Sequence, residues 1–403
     1  MKPKKTKIKI KHKQFNLYNK KKSKAKQALT VILTIVAACV LGVVGYGIGK
    51  PVMDYILGNT QFTPGDSSDS DGSDGSDSSS EVSNGESGDS SDSSPASSDN
   101  NPNTPVTPAN GTMYMLPDNA AASSASLNSA LAAAKSTGHT TVVVTLKDND
   151  GMFLYKSGIT GIKDTSVTGT LTAAQICDII TKAGLTPAAK ISTVMDKTNG
   201  NSIGGNYNIA GSPNVNWIDA KKENGGKLWL SPFKDNTIKF IGSISEELST
   251  AGFKHIICAN TMYPVFHSYD LKNYLRDLPL TDSAKRTAAL WNVLESAKSG
   301  AAKNGAQLWI EIAGEDLLND TKDSTSAELC LNTAKLNGAK LIIDYSATGN
   351  PAEAYGSAKD FAAKAKTAAN GAEISAMIKA YSSTALADAQ RAFSEAGIPV
   401  FSQ

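Results

Sequence analysis

The chain has 403 residues, with 40 Lys or Arg against 38 Asp or Glu and a formal net charge of +2. Removing the twelve lysines of residues 1–27 and Lys50 from the basic set, and the ten acids of Gln61–Asn110 and Asp54 from the acidic set, leaves 27 of each. A neutral remainder with only three arginines lacks the basic face that a nucleic-acid backbone demands, so nucleic acid is excluded as a partner.

Residues 1–27 hold no acid and read as a basic cytoplasmic tail. The anchor is expected over 28–57, because Ala28–Gly49 is a 22-residue uncharged run. At about 1.5 Å per residue it is long enough to cross roughly 30 Å of hydrocarbon. Lysines on its N-terminal side put that side in the cytoplasm, so the expectation is a single-pass cell-membrane protein with the bulk of the chain extracellular. A cleaved signal peptide fits less well, since the run exceeds the usual apolar core and has no clean cleavage site. The lipobox-like Val36-Ala37-Ala38-Cys39 is followed by further apolar residues rather than a polar tether. Residues 58–110 are rich in Ser, Asp and Gly, then in Pro, Asn and Thr, and bury too little apolar surface to fold. They predict a disordered linker with a reach of about 40 Å.

From 111 to 403 one unit recurs: an alanine-rich amphipathic stretch, a glycine, then a short β-branched run. The glycines are Gly138, Gly184, Gly252, Gly305, Gly338, Gly371 and Gly397. Each stands where a helix takes a left-handed residue after its last turn, and each leads into a run such as TVVVTL, AKISTV, HIICA, LWIEI, LIIDY, ISAMI or IPVF. With Met113–Leu116 these make eight strands alternating with helices, which predicts an α/β fold, a (β/α)8 TIM barrel. Its chemistry is then expected at the C-terminal ends of the strands.

Several motifs carry little. Gly200-Asn201-Ser202-Ile203-Gly204 matches a hydrolase nucleophile pattern but lies in a polar loop, not between a strand and a helix. The four histidines have no metal-ligand spacing, no phosphate-binding glycine loop is present, and neither metal nor cofactor is expected. Cys177, Cys258 and Cys330 read as buried thiols rather than a disulfide framework. Trp291, in AALWNVL, has the spacing of a packed helix face.

The strand ends are richer. The second strand ends at Lys147 and Asp148, the fourth at Asn260 and Tyr263, the fifth carries Trp309 and Glu311, the sixth ends at Asp344 and the seventh at Lys379 and Tyr381. Aromatic faces with amides, lysines and carboxylates suggest a sugar site. Lys147, Asp148, Trp229, Asn260, Tyr263, Trp309, Lys379 and Tyr381 are therefore the candidate glycan contacts, with Trp229 and Tyr263 as the preferred stacking platform. Lys147 and Asp148 fit a barrel-mouth ion pair equally well.

The segments VVVTLKDNDG, AKISTVMDK, NWID with GGKLWLSPF, and GFKHIICANTMYP, in this order, resemble a family of glycosyl hydrolase-type barrels. That family was long known as a domain of unknown function, related distantly to α-amylase-type barrels. The resemblance covers 111–403, is strongest over Thr140–Pro264, and implies an exported, often membrane-anchored protein of bacterial cell surfaces. It also implies acids that this chain lacks. Where the family carries an aspartate, an aromatic and an arginine at the fourth strand, this chain has Ala259, Asn260 and Met262. Thr145 and Ala380 replace acids at the second and seventh strands.

Most glycoside hydrolysis needs two carboxyl groups. Glu311 and Asp344, on adjacent strands, are proposed as a substitute catalytic pair, with Asp148 an alternative to Asp344. The expectation is a membrane-anchored, surface-exposed barrel that binds a polysaccharide or cell-wall glycan with hydrolysis weakened or lost. An active glycosidase on cell-wall or α-glucan polymers and a protein-interaction scaffold in the envelope are the alternatives.

Overall fold

A computed structural model describes residues 113–318, 329, 333–380 and 382–401. The tail, anchor and linker expected over 1–110 lie outside these residues, as do Cys330 and Tyr381. Among the described residues no helix is long and apolar enough to cross a membrane.

Eight strands make one sheet: β1 Met113–Met115, β2 Thr141–Lys147, β3 Thr186–Ser192, β4 His255–Ala259, β5 Gln307–Ala313, β6 Lys340–Ser346, β7 Glu373–Lys379 and β8 Val400–Phe401. They lie in chain order and every neighbouring pair is parallel. Helices α1 Ser124–Ser136, α2 Ala173–Lys182, α3 Asp235–Thr250, α4 Ser283–Ala302, α5 Pro351–Ala368 and α6 Ser383–Glu395 run between them, and shorter helical segments Gly314–Leu318 and Thr333–Leu336 lie between β5 and β6. All seven repeat glycines have positive φ, from +70° at Gly397 to +107° at Gly252. The left-handed residue that ends each helix is what turns the chain back into the sheet.

The sheet is rolled. Met113, Val143, Ala188, Ile257, Trp309, Ile342, Met377 and Phe401, one from each strand, pack together apart from the main core. Side chains from all eight strands meet only when a sheet curls onto itself, so this is a near-barrel, consistent with (β/α)8. Helices pack on the outside, most closely where α3 crosses α4. A Cβ on Gly300 would lie 2.3 Å from the Gly242 carbonyl oxygen, so only glycine permits that approach.

The excursion from Thr198 to Lys227 is tied down at both ends. Lys197 and Lys227 both pair with Asp150, and the Thr198 hydroxyl donates to the Asp150 carbonyl at 2.6 Å. Between these ties it forms the helical turn Gly200–Ile203 and a two-stranded hairpin, Asn208–Ile209 with Ser212–Asn216.

Candidate functional site

Strand alternation fixes what stands above the lumen cluster. Two residues further along each strand, on the same inward side, are Thr145, Lys190, Ala259, Glu311, Asp344 and Lys379. They form the floor of the C-terminal mouth. Lys190 Nζ lies 2.8 Å from Glu311 Oε1 and 2.6 Å from Oε2, with both side chains mostly buried. The pair spans β4, which contributes only the Ala259 methyl group at this level. Next to it, Lys379 Nζ donates to Asp344 Oδ2 at 3.2 Å, while Asp344 Oδ1 is buried without a partner.

Burial pushes the Glu311 carboxyl above its ordinary pKa. Lys190 pulls it down, Asp344 pushes it up and Lys379 pulls it down, in descending order, and the balance stays upward. Ala313 is opposite Asp344 in the β5–β6 register, so Asp344 stands two residues beyond Glu311. With strands about 4.8 Å apart and a rise of about 3.3 Å per residue, their Cα atoms are about 8 Å apart.

Beside this floor a cleft of about 640 Å³ opens over the ends of β1, β2 and β3. Its wall includes Asp118, Thr145, Asp148, Asn149, Lys190 and Ser192. Lys190 thus belongs both to the cleft and to the ion pair with Glu311. Thr145 donates to Asp118 Oδ1 at 3.1 Å, which fixes that carboxylate at the rim.

The candidate contacts have different surroundings. Lys147 lines the cleft, but its ammonium is fully buried against Asp196 at 2.9 Å and donates to the Ser192 carbonyl at 2.8 Å. Of the two roles its sequence position allows, it takes the ion pair, with Asp196 rather than Asp148. Asp148 Oδ1 accepts from the backbone N–H groups of Asp150 and Met152, organising the turn after β2. Asn260 sits at φ +53° and donates through its amide to Asn149 Oδ1 at 2.7 Å and Ser192 Oγ at 3.1 Å, bridging β4 to the cleft wall. Lys379 reaches the floor as expected from its strand position.

The stacking platform has to be moved. Trp229 is 6% exposed and its indole N–H is held by Asp219 at 2.8 Å, while Tyr263 is 1% exposed with its hydroxyl donating to the Arg286 carbonyl. Tyr263 belongs to a packed aromatic group with Phe233 and Phe266, and Phe266 also meets Tyr207 and Trp217. This group anchors the excursion, so its rings are consumed by packing. Trp309 points into the lumen and its indole reaches His255 at the N-terminal end of β4, away from the mouth. Tyr381 lies outside the described residues.

Ser202 is in the helical turn after Asn199 and donates to the Asn199 carbonyl, so it has no strand-to-helix elbow. Cys177 and Cys258 are buried free thiols, and Trp291 is buried on α4. Among the described residues no group of three or more His, Cys, Asp or Glu is placed to hold a metal ion. Lys190 and Asp118 are site residues that no sequence motif singles out. Lys190 has a signal: it is the lone charge of its strand, in the phase of Ala188 and Ser192.

A family model described as "Putative glycosyl hydrolase domain" matches residues 113–329. The chain belongs to this family. No curated protein matches the chain. Among solved structures it is similar to the PgaB (BpsB) glycoside hydrolase domain from Bordetella bronchiseptica, at 10% identity over 73% of this chain and 93% of that one, with a TM-score of 0.49. It is also similar to a Flavobacterium johnsoniae chitobiase, at 14% identity over 67% of this chain and 38% of that one, with a TM-score of 0.38. Ega3 from Aspergillus fumigatus, solved with galactosamine, is 11% identical over 72% of this chain and 90% of that one, with a TM-score of 0.35. Within this glycosyl hydrolase-type chain the family match takes in Lys190, Ala259 and Glu311 and ends before Asp344 and Lys379.

Proposed function

We propose that this protein is a glycosyl hydrolase-type (β/α)8 barrel that binds a polysaccharide or cell-wall glycan at its C-terminal mouth, with hydrolysis weakened or lost. The Lys190–Glu311 ion pair carries the reading. A general acid must present its proton to the leaving oxygen, whereas both Glu311 oxygens are within 2.8 Å of one ammonium. Thr145 and Ala259 leave the inward positions of β2 and β4 without a carboxylate. The cleft over β1–β3 offers hydroxyls, amides and the Asp118 carboxylate, groups that bind sugar hydroxyls. The 28–57 anchor and the 58–110 linker would display this barrel outside the membrane, with residues 1–27 in the cytoplasm.

The test is a glycan array followed by hydrolysis assays on any hit, using the full chain in a sugar-free detergent. Binding with little or no turnover is expected. Efficient cleavage that Glu311→Gln abolishes would overturn the reading and select an active glycosidase. One observation favours that second reading: burial raises the pKa of Glu311, which suits it to hold a proton, and Asp344, whose Oδ1 is unpartnered, stands beside it. Asp148 is the weaker partner for it, because the backbone amides already engage its Oδ1.

A further inference from the structure

Burial of Trp229, Tyr263 and Trp309 leaves a question of where a sugar ring finds an aromatic face. Among the described residues the large hydrophobic side chains that stay exposed are Val215, Val265, Tyr269 and Tyr274. All four lie in the segments that follow β3 and β4, on the C-terminal side of the sheet where the cleft opens. Two of them are aromatic, at 62% for Tyr269 and 36% for Tyr274, and no other Phe, Tyr or Trp ring among the described residues is exposed.

The two rings stand against each other. Their centroids are 5.4 Å apart at an interplanar angle of 79°, so the edge of one ring braces the other while both side chains keep surface open to solvent. Tyr274 is also fixed from below: its carbonyl accepts from the Ala210 N–H at 2.6 Å, and its own N–H donates to the Asp270 carbonyl. It forms one side of a hollow of about 210 Å³ with Asn208, Lys234 and Asp277. A braced aromatic face beside an amide, an ammonium and a carboxylate matches a pyranose, which presents an apolar C–H face and a rim of hydroxyls.

We propose that Tyr269 and Tyr274 form an outer subsite that stacks on a pyranose ring of a glycan chain. The inference rests on the carbohydrate reading above, and it extends the bound ligand from one sugar in the cleft to a polymer crossing the rim. Both places are reached from the end of β4: Asn260, which bridges that end to the cleft wall, precedes Tyr269 by nine residues.

The experiment is affinity electrophoresis of the full chain in a sugar-free detergent against glycogen, hydroxyethylcellulose and glycol chitosan. Tyr269→Ala and Tyr274→Ala are each expected to weaken retardation by about tenfold, the scale of one aromatic contact, and Tyr→Trp at either position is expected to restore it. Thermal melting should be unchanged, because exposed side chains contribute little to stability. Full retardation of both alanine variants, with a loss in Lys190→Met, would overturn the outer subsite and leave the cleft intact. Absence of retardation of the unmodified chain by all three polymers would overturn the carbohydrate reading and the subsite with it.

Discussion

Lys190 on β3 reaches across β4 to place its ammonium 2.6 Å from Glu311 Oε2 on β5. The bridge exists because β4 presents only a methyl group, Ala259, beneath it. Glu311 is held above its ordinary pKa of 4.5, with burial the largest cause and Lys190 the largest opposing one. A carboxyl whose folded pKa is raised binds more protons when folded, so its contribution to stability falls as pH rises from the unfolded value to the folded one. Lys190→Met removes the main opposing charge and extends that window upward. Urea unfolding between pH 4.5 and 7 should show stability falling more steeply with pH in Lys190→Met than in the unmodified chain, and adding Glu311→Gln should flatten the slope. Parallel profiles in all three would mean the pair is not coupled.

The Lys147–Asp196 pair answers to a different test. Both side chains are fully buried, and Asp196 also accepts from the backbone of Thr198 and Asn199 and from the Asn199 amide. Removing one member leaves the other charge desolvated and unpaired, at a cost of about 3–5 kcal/mol. Lys147→Met should lower the denaturation free energy by that amount, whereas Lys147→Met with Asp196→Leu should recover part of it. A loss below about 1 kcal/mol in the single variant would show that the pair is not buried in solution.

How far the sequence reached depends on which force governed each residue. Backbone sterics speak locally, so the seven glycines and the runs behind them mark the strands within about three residues. Strand phase is also local, so Glu311, Asp344 and Lys379 could be placed facing one mouth. Which aromatic ring is covered is decided by tertiary packing, and nothing local distinguishes Tyr263, buried under Phe233 and Phe266, from Tyr269, six residues later and open to solvent. Lys190 was legible in principle through its phase, but its partner, 121 residues away, was not.

Asn260 stores strain at the end of β4. Its φ of +53° is left-handed, which costs a non-glycine residue roughly 1 kcal/mol or more, and the two hydrogen bonds of its amide hold it there. Alanine keeps the strain and loses both bonds, whereas glycine loses the bonds and relieves the strain. Asn260→Ala should therefore destabilise by about 1–3 kcal/mol, and Asn260→Gly by less. Equal losses in the two variants by chemical denaturation would show that the backbone there relaxes without the amide.

At the opposite end of the barrel the indole N–H of Trp309 donates to His255 Nδ1 at 3.2 Å, an acceptor only while that nitrogen is unprotonated. Lys340 stands 5.0 Å over the same indole ring. Burial is the larger cause lowering the His255 pKa below 6.5, Lys340 adds to it, and Glu373 opposes it. A histidine with a depressed folded pKa stabilises the fold above its unfolded pKa, and that contribution is lost as pH falls through the window below 6.5. His255→Gln keeps a hydrogen-bonding group and cannot titrate. The difference in melting temperature between the unmodified chain and His255→Gln should therefore shift in favour of the variant as pH is lowered from 7 to 5. A difference independent of pH would mean that His255 is already exposed to protons at the barrel floor, and the Trp309 hydrogen bond would then contribute nothing specific to the neutral ring.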